Sequence, residues 1–356
     1  MDFLVAKDDL HRCRFVQAEE PEPGPGQALL ALERFGLTSN NITYAMFGEA
    51  MSYWDFFPAE DGWGRMPVWG FARVSTSRVD DLEAGTRVFG YLPPSTELVV
   101  TPSAVDPHGF VDASAHRASL PPAYNGYVRV AVDPVYDADQ EDAQMLLRPL
   151  FFTSYLLDDF LAEAALFGAS MVVLSSASSK TASALAYLLS QRAGVEVVGL
   201  TSDRSTEFAR GLGVYDHVLS YDELGLLPQG RAVYVDMSGD ARVRSAVHGH
   251  YADELTHSAV VGATHHDQMG GVPESLPGAP PTFFFAPDRV TKRSADWGRR
   301  GLEEKLAEAW HPYARWCEGW LEVLHGNGPE ALEGAYLDLL DGRIDPATAH
   351  VLSLSR

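Results

Sequence analysis

Cysteine is nearly absent from this chain: Cys13 and Cys317 are the only two among 356 residues. Two thiols make neither a disulfide framework nor a four-thiolate zinc site, and such usage fits a reducing compartment. Long hydrophobic runs are missing as well, and none approaches the ~20 residues that span a bilayer. The first nine residues lack the basic start and apolar core of a signal peptide. These absences point to a cytoplasmic protein with no membrane partner. Cations are scarce, with 27 Lys and Arg against 49 Asp and Glu and a formal net charge of −22. Nucleic acid is therefore not an expected partner, because its phosphates call for clustered Lys and Arg. An anionic ligand must be held by local dipoles and a few cations rather than by the overall field. Internal repeats and low-complexity tracts are also lacking.

What is present is enough apolar residue for two cores: 46% of the chain is hydrophobic and 21% charged. The first 150 residues are rich in Pro, Gly, aromatics and short β-like runs. Segment 27–37 reads as a strand pair's worth of chain. Segments 67–74 and 86–92 read as further strands, split by the turn-prone Leu82-Glu83-Ala84-Gly85. This half suggests an irregular β-barrel. From about Ala143 the period becomes helical over 144–150 and 151–166, with Pro149 marking a break or kink. Strands are then expected at 171–174, 195–200, 217–219, 232–236 and 257–262, with helices at 180–192, 205–212 and 240–250. Such alternation predicts a doubly wound parallel sheet. The stretch 271–281 reads as a loop or lid, and 301–325 as a long helix carrying Trp310, Trp316 and Trp320. The expected architecture is an α/β protein of two domains. One is residues 1–150 with a tail of about 301–356 returning to it; the other is residues 151–300.

The stretch with most chemical content is Ser175-Ser176-Ala177-Ser178-Ser179-Lys180-Thr181-Ala182. It follows the apolar Met171-Val172-Val173-Leu174 and opens an alanine-rich amphipathic segment, where a dinucleotide-binding unit carries its glycine-rich phosphate loop. The glycines are replaced by serines. Ser178, Ser179, Lys180 and Thr181 at a helix start would offer hydroxyls, N–H groups and an ammonium to a pyrophosphate. Serine capping beside a solvated lysine is the plainer reading. The lack of spaced glycines before Lys180-Thr181 argues against a nucleotide-triphosphatase loop. Ser176 is no hydrolase nucleophile, since no Gly-x-Ser-x-Gly elbow surrounds it. After the next strand, Ser202 and Arg204 flank Asp203, a pattern that favours a 2′-phosphate and hence NADP over NAD; a polar turn with an N-cap is the alternative.

With Leu82-Glu83-Ala84-Gly85-Thr86-Arg87-Val88-Phe89-Gly90, Val235-Asp236-Met237-Ser238-Gly239-Asp240 and Val260-Val261-Gly262-Ala263-Thr264, the chain resembles the medium-chain dehydrogenase/reductase superfamily, its zinc-free quinone and enoyl reductases in particular. Asn40-Asn41-Ile42-Thr43-Tyr44-Ala45, Trp54-Asp55-Phe56-Phe57-Pro58, Gly62-Trp63-Gly64-Arg65 and Ser176 to Thr181 look like a bacterial branch known only as a domain of unknown function. The resemblance implies a GroES-like β-barrel domain, a Rossmann domain, and an active site in the cleft between them. It implies that Asn41 and Tyr53, or less well Tyr44, line the nicotinamide pocket, with a phenol as proton donor. It also implies that Thr153 and Gly262 touch the cofactor, and that the molecule is a homodimer. Cys13 stands far from the family's ligand positions, so no catalytic zinc is expected.

Other residues carry paired readings. Trp54, Phe57 and Trp69 either shape a substrate pocket or pack an aromatic wall. His265, with His266 beside it, either shuttles a proton or hydrogen-bonds backbone. His108 and His116 are isolated histidines, read as surface or hydrogen-bonding residues rather than metal ligands, since a closed site wants three or four converging ligands. The function expected is zinc-independent, NADP(H)-linked reduction of a small-molecule carbonyl substrate: a conjugated carbonyl, quinone or acyl thioester. Two alternatives stand beside it: cofactor-free acid–base or carbon–carbon bond chemistry on the same scaffold, and a non-catalytic binding protein.

Overall fold

The computed structural model describes residues 1–17, 21–261 and 276–355. The chain divides into two compact units, Met1–Leu146 with Leu321–Arg356, and Leu147–Trp320. The tail thus returns at Leu321, later than the boundary near 301 expected from sequence. The long helix Ala286–Cys317 explains the shift: it sends Leu302 into the core of the second unit, with Trp316 and Trp320 packed against it. That helix starts earlier and ends sooner than the expected 301–325, which leaves Trp320 just past its end.

The first unit is strand-rich. Its larger sheet runs in the order Glu322–Asn327, Thr348–Ser353, Ala28–Leu37, Val68–Ser77, Arg87–Leu92, Gly126–Arg129, Gly109–Asp112 and Pro102–Asp106, with Glu97–Val100 also paired to Ala28–Leu37. Ala28–Leu37 is one continuous strand rather than a pair. Its first residues face Glu97–Val100 and its last face the C-terminal strand Thr348–Ser353. A second sheet joins Asp2–Ala6 to Cys13–Val16 and Trp63–Gly64. Two helices that the sequence did not reveal, Ser39–Met46 and Pro329–Leu340, belong to this unit, and Ile42, Ala45, Leu332, Tyr336 and Leu339 enter its core.

The second unit is a six-stranded parallel sheet ordered His217–Ser220, Glu196–Thr201, Met171–Leu174, Ala232–Asp236, Leu255–Val260, Pro281–Phe283. Counted along the chain that is third, second, first, fourth, fifth, sixth. This is the order of a doubly wound dinucleotide fold, in which the strand sequence reverses beside the first strand. The strands are apolar on both faces because helices cover both. Val172 and Leu174 point into one core, Met171 and Val173 into the other, and all four are buried. Lys180–Ser190 and Ala241–Tyr251 confirm the expected helices to within about two residues at their ends.

Pro149 does not end a helix: Glu141–Glu163 is continuous through it. Asp159 and Glu163 near its end meet Arg289, Lys292 and Arg293 of the long helix. The shortest of these contacts is 2.6 Å, from Arg289 and from Arg293 to Asp159. Asp158 accepts both Nε and Nη2 of Arg192, at 2.7 and 2.6 Å.

Candidate active-site elements

In the parallel unit, the C-terminal ends of Met171–Leu174 and Ala232–Asp236 lie side by side at the reversal of strand order. Ser175 ties them together. Its hydroxyl donates to Asp236 Oδ1 at 3.1 Å and accepts from the N–H groups of Met237 and Ser238 at 2.9 and 3.0 Å. Asp236, fully buried, also accepts from the Ser238 hydroxyl, Gly239 N–H and Arg244 Nε, the last at 2.7 Å. A buried carboxylate survives only with such saturation. Sequence reading noted Asp236 as part of a motif but missed this network, because its donors come from three separated segments.

The turn itself is made without glycine. Ser176 occupies the left-handed region at φ 54° and is pinned by its N–H to Tyr221 Oη at 3.0 Å. Ala177 sits where a loop side chain would crowd the neighbouring strand, and Gly199 on that strand makes the room. A Cβ on Gly199 would lie 2.8 Å from Ala177 Cβ. The residue without a side chain at this contact is thus on the strand, not in the loop. Tyr215 closes the same contact, its hydroxyl donating to Ala177 O at 2.8 Å.

The sequence-predicted serines fall in the expected place, and their hydroxyls are already engaged. Ser178 Oγ shares a hydrogen bond with Thr201 Oγ1 at 3.1 Å, and Ser179 Oγ caps the helix by accepting from Ala182 N at 3.2 Å. The plainer reading, capping, therefore describes Ser179. Lys180 and Thr181 are half-buried in the first turn of Lys180–Ser190, where N–H groups lack intrahelical acceptors and the helix dipole is positive. The charge of Lys180 reaches Cys317, whose thiol burial nonetheless pushes up to about 12, far from a reactive thiolate. Ser202 follows the strand Glu196–Thr201 and bonds Ser205 Oγ at 3.2 Å, while Arg204 is exposed beside it.

Thr153 is not at a helix start. It lies inside Glu141–Glu163, and its hydroxyl donates to Pro149 O at 3.3 Å, one turn back in the same helix. Its neighbour Ser154 does reach the loop region, donating to Thr181 O at 2.8 Å. Gly262 and His265 lie outside the described residues, as does His266. Among the described histidines of this unit, His248 is buried with Nδ1 2.9 Å from Pro277 O and Nε2 2.9 Å from Ser258 Oγ. Because a carbonyl only accepts, Nδ1 carries the proton. Burial lowers its pKa, so it stays neutral and structural.

In the strand-rich unit, one group of aromatic residues drawn from between 44 and 124 gathers into a cluster. Tyr44, Tyr53, Phe56, Phe57 and Tyr91 are buried in it, with Trp69 and Tyr124 against them. The Tyr44 and Tyr53 rings meet at 4.7 Å between centroids, tilted by 53°, and Trp69 Nε1 donates to Tyr44 Oη at 3.5 Å. Burial first, then the neighbouring phenols, raises the pKa of Tyr44, Tyr53 and Tyr124 well above the ordinary value. Each remains a protonated hydroxyl across the physiological range. Tyr91 Oη is buried and has no hydrogen-bond partner among the described residues.

Two residues grouped with this cluster by sequence do other work. Asn41 is only 4% exposed, and its side chain closes a capping box. Its Oδ1 accepts from Thr38 N at 2.8 Å and its Nδ2 donates to Pro67 O at 2.9 Å, so the amide is committed to holding its own helix. Trp54 belongs to the main core: its indole fills the space beside Gly48 and Gly64, where added Cβ atoms would come within 2.0 and 2.3 Å. Phe57 and Trp69 stay in the cluster. Among the described residues no group of His, Cys, Asp and Glu is arranged to hold a metal ion, and no helix is long and apolar enough to cross a membrane.

No curated protein matches the chain by sequence. By backbone it is similar to CurA of Vibrio vulnificus, with 14% identity, a TM-score of 0.58, and 99% of this chain and 96% of that one covered. It is equally similar to E. coli K-12 YhdH with bound NADPH, at 14% identity and TM-score 0.58 with both chains covered completely. The quinone oxidoreductase of Coxiella burnetii follows at 13% identity and TM-score 0.56, with 99% of each chain covered. At these identities the likeness is one of fold: a strand-rich unit and a doubly wound parallel sheet. Residues 35–345 match the family model described as a protein of unknown function, DUF2855. That span takes in the Asn41 cap, the tyrosine cluster, the serine loop and the Asp236 network alike, and the chain belongs to this family.

Proposed function

We propose that this chain is a zinc-independent, NADP(H)-linked reductase acting on a conjugated carbonyl, quinone or acyl thioester, and that it works in the cytoplasm as a homodimer. The observation that carries the reading is the serine loop at the reversal of strand order, opening directly into the helix Lys180–Ser190. In folds of this order a dinucleotide pyrophosphate rests on that helix N-terminus. The fit of such a group rests on Gly199: by admitting the Ala177 methyl it removes the crowding that loss of the loop glycines would otherwise impose. Lys180, Thr181 and the first-turn N–H groups would hold the pyrophosphate. The exposed Arg204 beside Ser202 would favour a 2′-phosphate, hence NADP over NAD. Relatives in fold carry the same cofactor, among them E. coli K-12 YhdH with NADPH and CurA of Vibrio vulnificus in complex with NADPH.

A bound nicotinamide supplies the hydride. The residues of this chain then have to hold the substrate oxygen as negative charge develops on it. With its pKa raised by burial, Tyr53 suits hydrogen-bond donation to that oxygen better than complete proton release. Tyr124 is the second phenol in reach of Tyr53, with ring centroids 6.1 Å apart. Asn41 acts by positioning: its capping box fixes the helix that carries Tyr44.

The test is titration of nucleotide-free protein with NADPH and NADH, read by calorimetry or reduced-nicotinamide fluorescence. Micromolar NADPH binding is expected, weakened about tenfold in Lys180→Ala or Arg204→Ala, as the loss of one charge-assisted contact implies. If neither nucleotide binds, the reductase reading is wrong.

A further inference from the structure

The strand-rich unit contains a cavity of about 420 Å³ that the dinucleotide reading does not use. Its wall carries Arg117, a side chain only 1% exposed. Burying a guanidinium is costly unless each of its donors is matched. Here the matching is incomplete. Nε lies 3.2 Å from Asp112 Oδ2 without the alignment of a hydrogen bond, and Nη1 reaches Asn125 Oδ1 at 3.4 Å. Nη2 has no hydrogen-bond partner among the described residues. The hydroxyl of Tyr127 donates to Tyr91 O at 2.7 Å and turns its oxygen toward Arg117, yet Nε and Nη2 still lack a partner in hydrogen-bond geometry among the described residues. Asp112 cannot turn to serve Arg117 better, because Oδ1 already accepts from Thr101 N, Ser114 N and Ser114 Oγ.

A second guanidinium lines the same cavity. Arg65 pairs loosely with Asp2 at 3.6 Å, and its buried Nε has no hydrogen-bond partner among the described residues. The remaining wall mixes the carboxylates of Asp2, Glu97 and Asp112 with an apolar side. Arg117 lies over the rings of Phe57 and Phe56, at 4.7 and 5.7 Å, and Leu98 and Val99 complete that side. His116 contributes no free donor to this side, its Nε2 being 3.2 Å from Phe56 O.

From this arrangement we infer that the cavity is a binding site for a small organic monocarboxylate with an apolar body. The carboxylate takes the unmatched guanidinium N–H groups of Arg117 and Arg65, and the hydrocarbon packs on Phe56, Phe57 and Leu98. Guanidinium forks match a planar carboxylate in both charge and geometry. Inorganic phosphate is disfavoured, because it lacks an apolar body for Phe56, Phe57 and Leu98 and sets more negative charge than a monocarboxylate against Asp2, Glu97 and Asp112. The volume suits a ligand of a few to a dozen heavy atoms, at the small end of ligand sites.

The experiment titrates the full chain with benzoate and butyrate, using benzamide and inorganic phosphate as comparisons, by calorimetry and ligand-observed NMR. A carboxylate is expected to bind at least about tenfold more tightly than benzamide, since a charged hydrogen bond is lost in the amide. Phosphate is expected not to bind. Arg65→Gln, at a partly exposed position, should keep the fold and weaken benzoate several-fold; Arg117→Lys, read alongside its circular dichroism spectrum, should abolish binding. Three results would each overturn the site: no carboxylate binding at about 10 mM, where even a weak pocket registers; benzamide or phosphate binding as tightly as benzoate; or unchanged affinity in folded Arg65→Gln.

Discussion

Ser175 Oγ and Asp236 Oδ1, 3.1 Å apart, join the ends of the two strands that flank the reversal of the parallel sheet. This bond makes the serine loop and the 237–239 turn one object. Whatever binds at the reversal meets a surface whose two halves are set by a single buried carboxylate. Asp236→Ala should therefore destabilise the protein by about 3–5 kcal/mol, the range for stripping one partner from a buried ion pair, here Arg244. Urea denaturation followed by circular dichroism would measure it. A loss under 1 kcal/mol would mean that the network is not holding the loops.

The ion cluster between helices Glu141–Glu163 and Ala286–Cys317 predicts a pH dependence. Hydrogen bonds from Lys292 and Arg289 hold the Glu163 carboxyl down at about 2, against an ordinary 4.5. A lowered carboxyl pKa stabilises the folded state above the unfolded value. As pH falls from about 4.5 toward 2 the unfolded chain takes up the proton first, and that stabilisation is lost. Thermal melts across this window should fall less steeply in Glu163→Gln than in the parent protein. Parallel curves would remove Glu163 from the acid response.

Tyr53 and Tyr44 are in ring contact but are expected to differ in effect. Under the reductase reading, Tyr53→Phe should lower kcat by about 10- to 1000-fold, with NADPH affinity unchanged, because only the oxyanion contact is lost. Tyr44→Phe deletes the acceptor of Trp69 Nε1 and should cost about 1 kcal/mol of stability with a smaller change in kcat. Steady-state kinetics and melts on the same preparations separate the two outcomes. Equal kcat losses would deny Tyr53 a special role.

Ser176 holds a left-handed conformation that costs a side chain roughly 1–2 kcal/mol. Ser176→Gly should relieve part of this and leave stability equal or up to about 1 kcal/mol higher, glycine's own entropy offsetting some of the gain. Ser176→Val should lose more than about 1 kcal/mol, because branching at Cβ tolerates positive φ poorly. Denaturant midpoints compare the three proteins directly.

Much of the parallel unit was legible in the sequence because its strands are short, continuous apolar runs separated by helical periods. Met171-Val172-Val173-Leu174 and the alanine-rich run after it announce themselves locally. The strand-rich unit was read less well. Ala28–Leu37 bonds to three partners along its length, and nothing local reports a division of labour among them. The helix Ser39–Met46 was missed because its capping box uses asparagine, not glutamate or glutamine, at the third position. Trp54 looked like a pocket residue because nothing in sequence says that Gly48 and Gly64 sit beside its indole. The cavity at Arg117 escaped for the same reason, since its two guanidinium groups stand 52 positions apart.

The contact between Ala177 and Gly199 makes each residue the other's suppressor. Alanine at 199 alone should fail, since its methyl would meet Ala177 Cβ at 2.8 Å. Glycine at 177 alone would leave a methyl-sized void worth about 1 kcal/mol. Made together, the two exchanges restore one methyl to one gap, and Ala177→Gly should rescue much of what Gly199→Ala loses, with Tyr215 as the remaining neighbour at 2.9 Å. Of the two routes to the double exchange, the one that makes Ala177→Gly first passes through a void and the other through a clash, so only the first should keep every intermediate folded.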